Sequence, residues 1–321
     1  MNKLKKKFLV TGGAGFIGGE VVRQLIKKGY KVRVADDLSK DTTRDLPKNI
    51  EFVKGDLTKK SVAERSFEGV NVCIHLAAKI GGIGYFHKYP ATILSENNKL
   101  FSSVFEAAVK EKVERMVYVS SSMVFESTDI FPSKESDLKK IPPPITGYGF
   151  SKLVGEWYCR TFMEEFGLNY VIIRPFNAYG IYEKPEQEIG YAHVIPDLIR
   201  KIYSGQYPLE LLGDGKQTRC FTHVGDVARG IIMASLSKKS LNKDFNLGSS
   251  KEIKMIDLAK LIWGLTGQER KFKVRYVEGF MHDIRRRVPS NDKARRILNW
   301  KPKKDLEKEL PAIIEWVRKG L

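Results

Sequence analysis

One stretch near the start of the chain decides the fold, Phe8-Leu9-Val10-Thr11-Gly12-Gly13-Ala14-Gly15-Phe16-Ile17-Gly18. A short apolar strand runs into a turn with glycines at positions 12, 15 and 18, and a helix begins near Phe16. These glycines permit a tight turn, a close approach of the backbone to a pyrophosphate, and packing of the helix on the strand. The helix N-terminus offers unpaired N–H groups and partial positive charge to phosphates. The stretch therefore predicts a dinucleotide-binding βαβ unit.

An acidic pair, Asp36-Asp37, closes the next predicted strand at residues 31–35. Its distance from the glycine turn is about the 20 residues expected for a carboxylate that binds the adenosine ribose. The strand, turn, helix and carboxylate together favour a nucleotide site over a plain glycine-rich loop.

Length and composition are those of an ordinary globular enzyme. The 321 residues can bury a full core, and 42% of them are hydrophobic. Cys73, Cys159 and Cys220 are widely spaced, as expected for reduced thiols in a cytoplasmic protein. No apolar run approaches the length of a membrane span, and the basic start leads into a glycine turn rather than the apolar part of a signal peptide. We therefore expect a cytoplasmic location and no membrane contact.

The formal net charge of +18 is large for this length. A protein that binds nucleic acid typically gathers its basic residues on one face or along one helix. Here the lysines are scattered through every segment, which favours a basic surface that also attracts anionic small molecules. We therefore expect no nucleic-acid partner.

Short β-branched runs alternate with amphipathic helices over the first half of the chain. Predicted strands lie at 31–35, 50–54, 70–76, 115–119 and 170–174, and predicted helices at 16–28, 60–67, 91–112 and 148–166. Strands separated by helical crossovers indicate an α/β protein with a Rossmann-type doubly wound parallel sheet. Further helices are predicted at 194–203, 226–236, 255–265 and 305–319.

Beyond residue 175 the pattern loosens and predicts a smaller, discontinuous α/β substrate lobe. Such a lobe would cover the carboxyl ends of the strands, where open α/β sheets bind their ligands. We assign residues 1–176 and about 221–250 to the dinucleotide-binding domain, and residues 177–220 and 251–321 to the lobe. Segments 221–224 and 244–247 are expected to return to the large sheet.

A second stretch, Tyr148-Gly149-Phe150-Ser151-Lys152, carries candidate catalytic groups. On a helix, Tyr148 and Lys152 lie one turn apart on the same face. A phenol with a pKa near 10 is a poor base at neutral pH, but an adjacent ammonium group favours the phenolate. Ser120-Ser121-Ser122 follows the predicted strand at 115–119, at the edge where such a sheet presents active-site groups. A hydroxyl there could share a hydrogen bond with the tyrosine and the substrate, whereas turn chemistry is the alternative explanation for the other serines.

With the glycine turn, these residues resemble the nucleotide-sugar epimerase and dehydratase group of the extended short-chain dehydrogenase/reductase family. The resemblance covers nearly the whole chain and extends over the motifs Gly55-Asp56-Leu57, His75-Leu76-Ala77-Ala78, Arg174-Pro175-Phe176-Asn177, Gly213-Asp214-Gly215-x-Gln217-Thr218-Arg219 and Trp300-Lys301-Pro302. It implies an NAD-dependent enzyme with a nucleotide-sugar substrate and no metal. It also implies a homodimer formed through the helices at 91–112 and 148–166.

The resemblance implies roles residue by residue. The catalytic residues would be Ser121, Tyr148 and Lys152, with Tyr148 as the base. The cofactor-binding residues would be Gly12, Gly15, Phe16, Ile17, Gly18, Asp36, Asp56, Leu57, Ala77, Ala78, Lys79, Asn97, Tyr148 and Lys152. The substrate-binding residues would be Ser122, Asn177, His193, Arg219 and Arg286, the last chosen among three adjacent arginines. Asp36 favours NAD over NADP, and the nearby Lys40 and Arg44 leave NADP open.

Departures from the family's pattern bear on the reaction. Members that eliminate water carry Asp-Glu directly after the catalytic hydroxyl, where this chain has Ser122 and Met123, so dehydration is disfavoured. The loop at 77–83 and His193 resemble GDP-mannose 3,5-epimerases and GDP-fucose synthase. Those enzymes use a cysteine where Met123 stands, and a thioether cannot remove a carbon-bound proton.

The predicted function is therefore NAD-dependent epimerisation of a nucleotide sugar, of the UDP-glucose 4-epimerase type. It would act at C4 of a UDP-hexose through a 4-keto intermediate, with Tyr148 as the base. The alternative is a GDP-sugar 3,5-epimerase or epimerase-reductase with His193 as the acid. A non-catalytic NAD- or nucleic-acid-binding module is a third, less favoured reading, because fold alone does not establish function.

Overall fold

The computed structural model describes residues 6–39, 46–185, 192–280 and 283–321. The strands in these residues are β1 (Lys7–Thr11), β2 (Lys31–Asp36), β3 (Glu51–Lys54), β4 (Val72–His75), β5 (Arg115–Val119), β6 (Tyr170–Pro175), β7 (Ala178–Tyr179), β8 (Leu209–Leu212), β9 (Thr218–Cys220), β10 (Thr222–His223), β11 (Lys243–Leu247), β12 (Glu252–Lys254), β13 (Val274–Val277) and β14 (Arg286–Arg287). The helices are α1 (Phe16–Lys27), α2 (Lys60–Phe67), α3 (Ile83–Lys88), α4 (Pro90–Lys110), α5 (Gly147–Phe166), α6 (Val194–Tyr203), α7 (Val224–Leu236), α8 (Met255–Leu265), α9 (Asp292–Leu298) and α10 (Leu306–Lys319).

Seven strands form one sheet in the order β11-β6-β5-β4-β1-β2-β3. Every neighbouring pair in this sheet is parallel. The strand order changes direction between β1 and β4, and this is the point at which open α/β sheets bind their ligands, beyond the carboxyl ends of the strands. The predicted Rossmann-type doubly wound fold is thus confirmed.

Alternation along the strands explains why helices cover both faces of this sheet. Phe8 and Val10 of β1 pack into one apolar cluster with α1, α7 and α9, whereas Leu9 packs into another with α2, α4 and α5. Successive side chains of a strand point to opposite faces, so a continuous apolar run is the pattern of a strand buried on both sides.

A third apolar cluster forms away from the large sheet, among α6, α8 and α10 and the strands β8 and β13. Three small sheets accompany it, β10-β7, β12-β9-β14 and β13-β8. Strand β11 joins the large sheet beside β6, as expected for 244–247, but β10 pairs with β7 instead. The expectation for 221–224 was therefore wrong. The short strand β10 (Thr222–His223) forms a two-stranded sheet with β7 and is not part of the large sheet.

The predicted lobe also includes a segment that packs on the large sheet. Ala294 and Leu298 of α9, with the fully buried Trp300, belong to the same apolar cluster as β1 and α1. The indole N–H of Trp300 donates to the carbonyl oxygen of Asp226 at 2.9 Å, which ties this segment to α7. The division of the chain into two domains at the boundaries given above stays a prediction.

A fully buried ion pair joins α5 to the sheet. The guanidinium of Arg174 on β6 donates to both carboxylate oxygens of Glu156 at 2.7 Å, and it also contacts Asp244 of β11 at 2.9 Å. Ser120 at the end of β5 donates to the same Glu156 carboxylate at 2.8 Å. Because buried charges are tolerated only when they are paired and hydrogen-bonded, this network holds α5 in one orientation on the sheet.

We expect Glu156→Ala to lower the free energy of unfolding by about 3 kcal/mol, because the buried Arg174 would keep only the partly exposed Asp244 as a counter-charge. Thermal unfolding followed by circular dichroism measures the effect as a midpoint several degrees lower. Glu164→Ala on the same helix is the matched control, since Glu164 is exposed and its loss should change stability by less than about 0.5 kcal/mol. Equal midpoints for the two variants would contradict the role assigned to the ion pair.

Candidate active site

The glycine turn forms a cradle that has no room for side chains. Gly12 has a φ of +65°, and a Cβ there would lie 2.7 Å from the amide nitrogen of Ala77. A Cβ on Gly18 would lie 2.1 Å from the carbonyl oxygen of Gly12. Helix α1 starts after Gly15 without a side-chain cap and without an acidic residue in its first turn, which contains Phe16 and Ile17. Its N-terminal amides therefore suit the diphosphate of a dinucleotide.

Asp36 lies at the end of β2, beside this cradle. Its carboxylate accepts hydrogen bonds from the amides of Ala14 at 3.0 Å and Leu38 at 2.9 Å. Burial raises the pKa of this carboxyl, and the two amide hydrogen bonds oppose that shift. The position and the acceptor oxygens suit a ribose hydroxyl. Lys40 and Arg44 lie outside the described residues.

The loops after β3 and β4 complete the edge of the cradle. Asp56 caps the turn before α2 by accepting from the amide and hydroxyl of Thr58 at 2.9 and 2.8 Å, and the Leu57 side chain is buried in the apolar core. Ala77, Ala78 and Lys79 lie in the loop after β4, and their contact with the cofactor stays a prediction.

Asn97 of α4 fixes the loop after β4. Its side chain accepts from the amide of Lys79 at 2.7 Å and donates to the Lys79 carbonyl at 3.2 Å and to the hydroxyl of Ser151 at 3.1 Å. Thr11 at the end of β1 accepts from the amides of Leu76 and Ala77, both at 3.2 Å. The predicted cofactor residues are therefore joined to α5 by side-chain hydrogen bonds.

Tyr148 and Ser121 are brought together as predicted. Tyr148 lies in the first turn of α5, is 4% exposed, and forms a hydrogen bond with Ser121. Burial raises the pKa of Tyr148 to about 12, while the Ser121 hydrogen bond and the charge of Arg287 act in the opposite direction. The ring of Phe86 on α3 stacks on Tyr148 at a centroid distance of 4.4 Å.

Lys152 lies one helical turn below Tyr148. Its ammonium donates to the carbonyl oxygen of Val119 at 3.0 Å and lies 5.9 Å from the centroid of the Tyr148 ring. Burial lowers the pKa of Lys152 to about 8. A cation beside a phenol favours the phenolate; in this structure the cation whose charge acts on the pKa of Tyr148 in that direction is Arg287.

The serine run divides into three environments. Ser121 precedes the 3₁₀ turn Ser122–Phe125, and its hydroxyl accepts from the amide of Met123 at 3.1 Å. Ser120 faces the Glu156–Arg174 pair instead, and Ser122 is buried. The geometry therefore selects Ser121 as the hydroxyl beside Tyr148.

On the substrate side, Asn177 and Arg219 are held by the small sheets. Asn177 has a φ of +37° and donates to the carbonyl oxygen of Cys220 at 3.2 Å. Arg219 forms an ion pair with Asp283 at 2.8 Å and donates to the carbonyl oxygen of Ile284 at 2.6 Å.

The adjacent arginines Arg286 and Arg287 of β14 point in opposite directions. Arg286 points outwards, pairs with Glu252 at 2.6 Å, and half of its side chain is exposed. Arg287 points inwards, towards Asn177 and Met123. Neighbouring residues of a strand face opposite sides, so only one of the two can face the site, and the sequence did not show which one.

His193 is the residue before α6, and its Nδ1 contacts the buried carboxylate of Glu183. The His193 side chain is 58% exposed. The sequence analysis did not identify Glu183, because no motif marks it and its role depends on the fold.

A second missed residue is Glu126, which follows the 3₁₀ turn of Met123. Its carboxylate accepts from the amide and the hydroxyl of Thr146, both at 2.9 Å, and Thr146 in turn caps α5 through the amide of Gly149 at 3.1 Å. Glu126 therefore fastens the start of the helix that carries Tyr148 to the turn that follows Ser121.

Comparisons with known proteins establish the family. A model of the NAD-dependent epimerase/dehydratase family matches residues 8–248. A putative UDP-glucose 4-epimerase of Methanocaldococcus jannaschii is 33% identical over 97% of this chain and 98% of its own length. The chain therefore belongs to the NAD-dependent epimerase/dehydratase family, whose members are enzymes that use NAD. The glycine cradle and Asp36 fit that cofactor.

Two further matches show the range of relatives. The UDP-glucose 4-epimerase of Thermotoga maritima, crystallised with UDP-glucose, is 31% identical, with a TM-score of 0.88 over 98% of this chain and 99% of that one. A UDP-glucuronate 4-epimerase of Thermodesulfobacterium geofontis is 30% identical over 98% of this chain and 97% of its own. Other relatives are named UDP-glucuronic acid decarboxylase and GDP-mannose 3,5-epimerase.

Two kinds of feature are absent from the described residues. No helix there is long and apolar enough to cross a membrane. No group of three or more His, Cys, Asp and Glu side chains in that part of the chain could hold a metal ion.

Adjacent glycines of α1 provide a test of the cradle. Gly18→Ala should abolish NAD binding and lower the unfolding midpoint, because its Cβ would collide with the Gly12 carbonyl. Gly19→Ala should keep NAD binding and stability, because its Cβ would meet nothing closer than 3.6 Å and alanine favours a helix. Calorimetric titration with NAD measures the effect. Unchanged NAD binding by Gly18→Ala would contradict the assignment of the cradle.

Proposed function

We propose that this enzyme epimerises a UDP-hexose at C4. The observation that carries the proposal is the set of the buried Tyr148 and Lys152 with the half-buried Ser121, together with the apolar side chain of Met123 beside it. The set provides one proton acceptor for a sugar hydroxyl, and the adjacent position provides no second acid or base.

Each residue has a defined task in the proposed reaction. The Tyr148 oxygen takes the proton of the sugar's 4-hydroxyl. The Ser121 hydroxyl holds the two groups together by hydrogen bonding to the phenol oxygen and to the sugar's 4-oxygen. Lys152 stabilises the negative charge that Tyr148 needs in order to accept the proton. NAD, when bound, supplies the site that takes a hydride from C4 and gives it back. The 4-keto sugar then rotates in the site, so that its opposite face receives the hydride. Tyr148 returns the proton to the 4-oxygen, which gives the opposite epimer.

Dehydration is not favoured by the side chains at the site. A water elimination needs an acid for the leaving hydroxyl and a base for a carbon-bound proton. Ser122 and Met123 stand where dehydrating members carry Asp-Glu, and a thioether neither donates nor accepts a proton at neutral pH. The relatives leave the hexose open, since their names include both UDP-glucose and UDP-glucuronate.

The contact between His193 and Glu183 favours a second candidate function. A carboxylate on Nδ1 orients an imidazole and supports its protonated form, which is the arrangement of a general acid. An acid there would suit a GDP-sugar 3,5-epimerase or epimerase-reductase. The side chain of Met123 argues against this function, because the partner base is then missing.

We also infer a homodimer formed through α4 and α5. Trp157 and Phe166 on α5 are 58% and 51% exposed, which is unusual for large apolar side chains. A shallow groove near the C-terminal ends of α4 and α5 is lined by acidic, basic and apolar side chains, namely Glu106, Val109, Lys110, Phe162, Glu165 and Phe166. Such a surface can be complementary to a second copy of itself across a two-fold axis. Light scattering should give twice the chain mass of 36.6 kDa, and a single chain mass would contradict the dimer.

The reaction is tested with UDP-, GDP- and dTDP-sugars incubated without added cofactor and analysed by mass spectrometry. A UDP-hexose should yield a new isomer of unchanged mass. A product lighter by water or carbon dioxide would refute C4 epimerisation as the reaction, and turnover of GDP-sugars alone would establish the second candidate.

Tyr148→Phe should lower turnover by at least about 10²-fold, because the phenol oxygen is the proton acceptor. Binding of UDP and NAD should stay unchanged, since the ring and its packing on Phe86 remain. Retained turnover in this variant would overturn the mechanism.

A further inference from the structure

Four arginines lie close together at the edge of the small sheet β12-β9-β14. Three of them have a carboxylate partner: Arg219 with Asp283 at 2.8 Å, Arg285 with Asp214 at 2.9 Å, and Arg286 with Glu252 at 2.6 Å. Arg287 differs from these three. In the described residues, no carboxylate oxygen lies within 4.0 Å of its guanidinium.

The hydrogen-bond partners of Arg287 carry no charge. Its Nη1 donates to the amide oxygen of Asn177 at 3.3 Å, and its Nη2 approaches the sulfur of Met123 at 3.0 Å. Its Nε is buried without an acceptor. Glu126 and Asp283 act on Arg287 only from a distance, and the positive charge of Arg219 opposes them. A half-buried guanidinium with so little compensation is costly, so an anion brought by a ligand would relieve it.

The position of this guanidinium is at the reacting end of the site. The amide of Met123 donates to Ser121, and the Met123 side chain shares an apolar cluster with Tyr148. The charge of Arg287 also acts on the Tyr148 hydroxyl. Since Ser121 and Tyr148 touch the reacting sugar hydroxyl in the proposed reaction, the Arg287 guanidinium would then lie beside the hexose ring.

We propose that Arg287 binds a carboxylate carried by the hexose, so that the preferred substrates are nucleotide-linked hexuronic acids. This inference rests on the proposed function of the same site. A guanidinium presents its N–H groups in a planar fork that matches a carboxylate, and the pair is strengthened where water is excluded. A neutral hexose would leave the charge of Arg287 uncompensated.

The test uses equilibrium binding, so that it does not depend on turnover. The Tyr148→Phe protein loaded with NAD is titrated calorimetrically with UDP-glucuronate, UDP-glucose and UDP. UDP-glucuronate should bind at least about 10-fold more tightly than UDP-glucose. Adding Arg287→Met should weaken UDP-glucuronate binding by about 10- to 100-fold, the range for a hydrogen bond to a charged group. Binding of UDP-glucose and UDP should change less than about 3-fold.

Arg285→Met in the same background is the matched control, because the exposed Arg285 pairs with Asp214 at 2.9 Å and has no assigned part in the site, and it should leave all three affinities unchanged. Equal weakening of all three ligands by Arg287→Met would show that Arg287 holds the diphosphate, and it would overturn the proposal. Tighter binding of UDP-glucose than of UDP-glucuronate by the protein with Arg287 intact would also overturn it. That result does not depend on the folding of any arginine variant. The product analysis and the binding titration can fail separately. If the products show a reaction other than C4 epimerisation but UDP-glucuronate still binds more tightly than UDP-glucose, the proposed reaction is wrong and the role of Arg287 in binding remains.

Discussion

The active site depends on one face of helix α5. Tyr148, Lys152 and Glu156 follow one another at four-residue spacing, so they lie in a row on the side that meets the sheet. The last of them is fixed by two hydrogen bonds of 2.7 Å from the buried Arg174. Rotating α5 would separate these charges in a medium of low dielectric constant. The ion pair therefore sets the direction of the other two side chains, and Ser120 ties the serine turn to the same carboxylate.

A chain of hydrogen bonds connects the dinucleotide cradle to this helix. Thr11, the last residue before the glycine turn, accepts hydrogen bonds from the backbone amides of Leu76 and Ala77, which follow β4. Asn97 binds the same loop at the amide of Lys79. Asn97 also donates to Ser151, the residue before Lys152. Parallel strands make this possible, because their carboxyl ends meet at one edge and bring segments distant in sequence together. The groups that would hold the cofactor and those that would move a proton are thus positioned by one network.

The parts that sequence reasoning predicted are those with strong local signals. The glycine turn, the long periodic helices and the Tyr148-to-Lys152 spacing depend on local backbone geometry, and the structure reproduces them. The sequence offered no choice between Arg286 and Arg287, because alternation shows that neighbours diverge but not which side is inner. Glu126 was missed because its partner, Thr146, is 20 residues away. The pairing of β10 with β7 also depends on tertiary packing, since two-residue strands carry no periodic pattern.

The pairing of Met123 with Arg287 shows how the site's chemistry is divided between its residues. A sulfur atom is a weak acceptor, so Met123 can pack against the guanidinium at 3.0 Å while leaving most of its donors uncommitted. An acidic side chain at that position would neutralise Arg287 and add a second proton-transfer group. With methionine there, proton transfer is left to Tyr148, whose pKa is raised by burial and lowered by Ser121 and Arg287. The same cation therefore favours the phenolate and remains available to an anion on the ligand, so the charge that binds the ligand also influences the base.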